Sequence, residues 1–276
     1  MIDFVKTHAL GNDFILVEQR NIPESGYSTL AGEICHRNFG VGADGLILWK
    51  QDGEVFALRI FNRDGGEAEC SGNGLRCAAA YLMESGLWKQ AEIRLRTISG
   101  DYVLRRTGAM YEADMGVPAL RPEEIPFLPN KPMDRVINHP FDVDGQEVRI
   151  TLCSTGNPHC SIFVPEIDDE MVERLGPRLE RDPAFPNRTN VEFIKVLNDR
   201  ELRVAFWERG VGVSMASGTG SCGATVAAIL NGRTGRQVTV HTVAGKLEVE
   251  WPENGRLKLT STAVVIAEGR YHEVQK

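Results

Sequence analysis

Four segments of this chain recur in the same order about 145 positions later, and a chain that repeats itself this way is constrained to build one kind of unit twice. Gly11-Asn12-Asp13 recurs as Gly156-Asn157-Pro158 (157 − 12 = 145), and Ile60-Phe61-Asn62-Arg63-Asp64-Gly65 as Ala205-Phe206-Trp207-Glu208-Arg209-Gly210 (206 − 61 = 145). Ser71-Gly72-Asn73-Gly74 answers Ser217-Gly218-Thr219-Gly220 (217 − 71 = 146). Arg96-Thr97-Ile98-Ser99-Gly100-Asp101 answers His241-Thr242-Val243-Ala244-Gly245-Lys246 (245 − 100 = 145).

The third pair opens the two most apolar helices the pattern predicts. Leu75 to Met83 stops at Ser85-Gly86, and Ser221 to Leu230 stops at Asn231-Gly232. Each follows a small-residue turn, where free backbone N–H groups and the helix dipole favour an anion such as a carboxylate. Two such starts suggest one site approached from both sides.

The repeat sets the domain organisation. A chain of 276 residues can hold two cores. Pro118, Pro122, Pro126, Pro129 and Pro132 read as a crossover rather than a core element. The boundary is expected near Val117, with residues 1–117 plus 263–276 as one domain and 118–262 as the other.

Composition limits the partners. A net charge of −7 argues against a nucleic-acid surface, and no apolar run approaches a membrane span, so a small molecule is the expected partner. The start Met1-Ile2-Asp3-Phe4 lacks the pattern of a signal peptide, and a cytoplasmic location is expected. There the six cysteines are expected to be reduced. Cys153, His159 and Cys160 do not form a convincing ligand set, and no metal is expected.

Two glycine patterns fail as dinucleotide loops. Gly40-Val41-Gly42-Ala43-Asp44-Gly45 runs into a strand instead of leaving one. Gly218 to Gly223 lacks an acidic residue about twenty positions on. Further helices are expected at 30–37 and 170–179. Strands are expected at 14–18, 46–49, 56–62, 93–98, 102–106, 141–143, 146–153, 160–164 and 202–207.

Several motifs together resemble one family. His8-Ala9-Leu10-Gly11-Asn12-Asp13-Phe14, Phe39-Gly40-Val41-Gly42-Ala43-Asp44-Gly45, Gly72-Asn73-Gly74, Gly156-Asn157-Pro158-His159, Thr189-Asn190-Val191-Glu192 and Trp207-Glu208-Arg209-Gly210 closely resemble diaminopimelate epimerase. The resemblance covers essentially the whole chain. It implies an α/β (α+β) fold of two pseudo-symmetric domains, each a mixed sheet around a central helix, with the active-site cleft between them. It also implies a cofactor-independent isomerase of lysine and cell-wall precursor supply, acting as a homodimer. In that family two cysteines, one at each central helix start, exchange the α-proton of an amino acid.

Here the chain departs from the family: Ser71 and Ser217 stand at the two cysteine positions. A serine hydroxyl does not ionise in the physiological range and needs a base beside it. Cys70 and Cys222 are rotated by roughly 100° and 140° from those positions along a helix, and Cys77 and Cys222 read as core side chains. The resemblance assigns Glu208 and Arg209 to an ammonium and a distal carboxylate. It makes Asn12, Asn62, Asn157 and Asn190 substrate contacts, although isolated turn asparagines are also structural. Gly72, Asn73, Gly218 and Thr219 offer N–H groups to the α-carboxylate, and His159 is expected to orient a base with Glu208. Three readings stay open: an epimerase impaired by the two serines, an isomerase of another amino or hydroxy acid, and an amino-acid-binding relative without turnover.

Overall fold

The computed structural model describes residues 1–20, 22–69 and 71–272, so Cys70 lies outside the described residues. The chain divides into two compact units, Met1–Ala113 with Ser261–Lys276, and Asp114–Thr260.

In the first unit, the apolar alternation of the N-terminal half gives β1 (Ile2–Ala9), which runs antiparallel to β2 (Asn12–Glu18). Helix α1 (Tyr27–Ile34) crosses to β3 (Gly45–Asp52), which lies parallel to β2. β4 (Val55–Asn62) returns antiparallel and pairs with the short β5 (Glu67–Ala68). Helix α2 (Gly72–Glu84) follows, then β6 (Glu92–Thr97), β7 (Gly100–Thr107) and β8 (Met110–Gly116) as an antiparallel meander, with β6 parallel to β4. The sheet is covered on both faces. Leu46 and Leu48 pack with α1, whereas Ile47 reaches the start of α2, as the period-two alternation of a strand requires.

The second unit repeats this order. β9 (His139–Val143) leads to β10 (Gln146–Ser154), antiparallel to β11 (Pro158–Phe163). Helix α3 (Asp169–Glu180) crosses to β12 (Asn190–Asn198), parallel to β11. β13 (Glu201–Glu208), the short β14 (Gly212–Ser214) and helix α4 (Gly218–Leu230) stand for β4, β5 and α2. β15 (Gln237–Thr242), β16 (Gly245–Glu250) and β17 (Leu257–Thr262) close the meander, and β18 (Val264–Tyr271) returns to the first unit, where it pairs with β1. The repeat holds down to strand register: Phe14 faces Gly45, and His159 faces Asn190, each residue 145 positions on (159 − 14 and 190 − 45).

Both central helices are enclosed. α2 buries nine of its 13 residues against β1, β2, β6, β7 and β18, and α4 buries nine of 13 against β10 to β13, β15 and β16. Burial of Leu75, Leu82, Val226 and their neighbours removes roughly 1.5–3 kcal/mol of apolar exposure per large side chain. This enclosure fixes where each helix starts.

One expectation is corrected. The proline-rich stretch is more than a crossover, because Ile125, Phe127 and Val136 enter the core beside Leu175, Leu179 and Phe185. Prolines restrict the backbone of this segment but leave the side chains between them free to bury. The first helix is also placed earlier than expected, ending at Ile34, after which the N–H groups of Val41 and Gly42 bond back to the Ile34 carbonyl. Strands β1, β5, β8, β12 and β14 to β18 were not foreseen.

Candidate functional site

Ser71 and Ser217 are the N-caps of the two central helices. Both are extended (φ −143°, ψ 116° and φ −133°, ψ 124°), and each hydroxyl accepts the N–H of the third helical residue, Gly74 at 3.1 Å and Gly220 at 3.2 Å. Serine suits this position because its short side chain reaches back to a backbone donor. The cap leaves the N–H groups of Gly72 and Asn73, and of Gly218 and Thr219, without intrahelical acceptors. Close packing keeps the second turn small: a Cβ on Gly220 would lie 2.8 Å from the Phe206 ring, and one on Gly223 2.9 Å from His159.

In the first unit, Asn12 Nδ2 donates to Asp44 Oδ2 at 2.9 Å, and Asn12 Oδ1 accepts from Asn73 Nδ2 at 3.1 Å. The Asn73 carbonyl oxygen in turn accepts from the guanidinium of the fully buried Arg76. Asp44 and Asp13 are bridged by Arg37 (2.7 and 2.8 Å), and Lys6 lies 2.9 Å from Asp13. Burial raises the Asp13 pKa, but the hydrogen bonds from Arg37 and Lys6 outweigh it and leave the carboxyl at about 2. Asn62 is exposed at the end of β4.

In the second unit, Asn157 occupies the place of Asn12. Its Nδ2 lies 3.5 Å from Thr219 Oγ1, and its Oδ1 lies 2.9 Å from His159 Nε2. His159 does not contact Glu208 as expected. Its Nδ1 meets Glu192 Oε1 at 2.6 Å, and Glu192 Oε2 accepts from Ser161 Oγ at 3.0 Å. The physical reason is register: Ser161 and Glu192 are direct partners across β11 and β12, and His159 is two residues along on the same face. Burial raises the Glu192 pKa, against the charge and hydrogen bond of His159.

Glu208 instead accepts from the Ser217 hydroxyl at 3.0 Å. The serine therefore has an adjacent carboxylate that sequence did not reveal. Arg209 is exposed: its Nη1 donates to the Asn187 carbonyl at 3.0 Å, and its N–H donates to Asn190 Oδ1 at 2.9 Å. Asn190 is buried and also donates to the Pro158 carbonyl at 2.9 Å, so its amide braces the turn.

Glu180, at the end of α3, was missed by sequence reasoning. Only 2% exposed, it accepts from Trp207 Nε1 at 2.8 Å and from the Gly210 N–H at 2.9 Å, holding the Glu208-Arg209-Gly210 turn from behind. Burial raises its pKa, but these two donors outweigh that and hold it below the usual range. Its one sequence signal was an acidic residue at the C-terminal end of a helix, where the dipole disfavours it without other partners.

Each helix start thus offers N–H donors to a carboxylate beside a hydroxyl, and the second adds a carboxylate and an exposed guanidinium. Among the described residues no cluster of three His, Cys, Asp or Glu side chains is placed to hold a metal ion. Cys77 and Cys222 are fully buried. No helix among the described residues is long and apolar enough to cross a membrane.

The family model for diaminopimelate epimerase matches residues 4–120 and 151–267, which are the two repeats. A diaminopimelate epimerase of Pelotomaculum thermopropionicum is 46% identical, with 97% of this chain and 98% of that protein covered. One of Moorella thermoacetica is 45% identical, with 97% and 98% covered. The fold is also that of a phenazine biosynthesis PhzC/PhzF protein of Clostridium difficile, with a TM-score of 0.69 at 13% identity and 98% and 99% of the chains covered. A hydroxyproline epimerase of Agrobacterium vitis shares it at a TM-score of 0.66 and 14% identity, with 97% and 91% covered.

Proposed function

The chain belongs to the diaminopimelate epimerase family, and from that premise we propose that it interconverts LL- and meso-diaminopimelate by proton exchange at the α-carbon, slowly, with Ser71 and Ser217 at the two acid/base positions. The observation that carries the reading is the Ser217–Glu208 hydrogen bond at the start of α4. The Ser217 oxygen takes the α-proton while its own proton passes to Glu208, so the carboxylate is the base and the hydroxyl the relay. The open N–H groups of Gly72, Asn73, Gly218 and Thr219 receive the α-carboxylate and stabilise the charge that develops on it.

Ser71 serves the opposite face as proton donor. Its hydroxyl has only the Gly74 cap among the described contacts, so delivery leaves an alkoxide that water must reprotonate. That asymmetry supports the slow turnover proposed. It also supports the second reading, binding of the amino acid without epimerisation.

Arg209 holds the distal carboxylate, Glu208 borders the ammonium group, and Asn12, Asn62 and Asn157 complete the polar contacts. His159 acts from behind Asn157, and Asn190 acts through the Arg209 turn. No cofactor takes part in the proposal. The protein works as a homodimer in the cytoplasm, a location supported by five buried cysteines present as free thiols. Proton NMR of LL-diaminopimelate in deuterium oxide tests the reading: loss of the α-proton signal with formation of the meso form supports it. Retention of the signal by this chain and by its Ser71→Cys, Ser217→Cys variant overturns it.

A further inference from the structure

The fold contains its own control for one buried group. At the repeat positions of His159, Ser161 and Glu192, the first unit carries Phe14, Leu16 and Ile47, each 145 positions earlier (159 − 14, 161 − 16, 192 − 47). The strand partners are the same, since Leu16 faces Ile47 as Ser161 faces Glu192. All six are buried: Phe14, Leu16 and Ile47 at 5%, 1% and 0% exposure, and His159, Ser161 and Glu192 at 0%, 1% and 0%.

The architecture is therefore built once with an apolar trio and once with a polar one. A buried carboxylate and imidazole are costly to desolvate, and apolar residues of similar volume serve packing at least as well. Stability does not explain the polar set. What differs is what it touches, because only in the second unit does the trio continue, through His159 Nε2, to Asn157 Oδ1 at 2.9 Å and on to Thr219 Oγ1 at 3.5 Å, at the start of α4.

Hydrogen-bond chemistry restricts this row. Glu192 offers Oε1 to His159 Nδ1 at 2.6 Å and is itself held through Oε2 by the Ser161 hydroxyl. With Glu192 ionised its oxygens only accept, so Nδ1 carries a proton and the tautomer with a proton on Nε2 alone is excluded. If Nε2 is also protonated, it donates to Asn157 Oδ1 and leaves Nδ2 facing Thr219. If Nε2 is bare, the amide turns, Nδ2 donates to the ring and Oδ1 faces Thr219. The ring thus sets whether Asn157 shows a donor or an acceptor at the helix start.

We propose that Glu192 is a positioning residue: by accepting the Nδ1 proton of His159, it determines which end of the Asn157 amide is presented beside Thr219. The role rests on the proposed function for its substrate, diaminopimelate, but not for its spectroscopic sign. Ser161 is the second support of the same carboxylate. Glu192 touches no reacting atom and acts only through the ring and the amide.

The test compares the full chain with Glu192→Gln, Ser161→Ala and the transplant His159→Phe, Ser161→Leu, Glu192→Ile. Nitrogen-15 NMR of the His159 ring, assigned by His159→Gln, reads the protons, and calorimetry with meso-diaminopimelate reads binding. The expected result is an Nδ1-protonated ring in the parent and a changed ring pattern in Glu192→Gln. The dissociation constant rises about tenfold in Glu192→Gln and less in Ser161→Ala. The transplant keeps the parent's cooperative unfolding and loses binding. An unchanged ring spectrum in a folded Glu192→Gln chain overturns the proposal, as does full affinity in the transplant. If the parent itself does not bind diaminopimelate, the proposed function fails, and the ring spectrum alone decides the role of Glu192.

Discussion

The Ser217 hydroxyl donates to Glu208 Oε2 at 3.0 Å while accepting the Gly220 N–H at 3.2 Å, so one oxygen both caps helix α4 and contacts a carboxylate. Ser71 makes the matching cap to Gly74 at 3.1 Å, and no carboxylate contacts its hydroxyl among the described residues. The two halves are alike in backbone and unlike in chemistry.

Separate substitutions divide these roles. Ser71→Ala and Ser217→Ala should each lower stability by about 1 kcal/mol, the usual worth of a serine cap, in urea unfolding. Glycine should cost only a few tenths at either site. Of the two alanine variants, Ser217→Ala alone also removes the relay to Glu208, and its α-proton exchange should fall to the background rate. Equal residual exchange in both variants would show that Glu208 is not the base.

Glu180 should matter for affinity although it lies behind the turn. Glu180→Ala removes the buried acceptor of the Trp207 indole N–H and of the Gly210 N–H, and the partly buried indole donor left unpaired costs roughly 1 kcal/mol. The released turn should weaken binding of meso-diaminopimelate by calorimetry, although Arg209 keeps its bonds to Asn187 and Asn190. Undiminished affinity in a folded variant contradicts the clamp.

Acid stability should depend on Asp13. Its pKa falls from the ordinary 3.8 to about 2 on folding, so the unfolded chain takes up the proton first. The stabilisation is fully present above pH 4 and is lost as pH falls towards 2, for a total of about 2 kcal/mol. Asp13→Asn should therefore narrow the stability difference between pH 5 and pH 2 by that amount in chemical denaturation. An identical pH dependence in the variant would show that the Lys6–Asp13–Arg37 cluster contributes nothing measurable.

Thiol reactivity should be low. Burial pushes Cys35 and Cys77 up to about 12 and Cys153 and Cys160 well above the usual range, and Cys222 is fully buried. A chromogenic disulfide reagent should label at most one thiol per native chain and all six after denaturation. Rapid labelling of two or more thiols in the native chain contradicts the packing of the cores.

Much of this was legible in the sequence because it is written in local patterns. The 145-residue repeat, the two capped helices and nine of the strands follow from turn chemistry and apolar spacing, which act over a few residues. What stayed hidden depends on register between distant strands. Thr189-Asn190-Val191-Glu192 stood out as a motif, but only the parallel pairing of β11 with β12 places Glu192 against Ser161 and His159. The carboxylate beside Ser217 was hidden for a similar reason: Glu208 lies nine residues before it, and the β13–β14 turn brings the two together. Ile125 and Phe127 were hidden by the prolines around them, which signal backbone restriction and say nothing of burial.

The measurement that bears most directly on the central claim is proton NMR of LL-diaminopimelate with this chain, beside its Glu208→Gln variant, in deuterium oxide. Slow deuterium incorporation at the α-carbon with appearance of the meso form, abolished by Glu208→Gln, is the predicted result. Exchange that persists undiminished in Glu208→Gln would contradict the Ser217–Glu208 relay, and absence of exchange even after Ser71→Cys and Ser217→Cys would contradict diaminopimelate as the substrate.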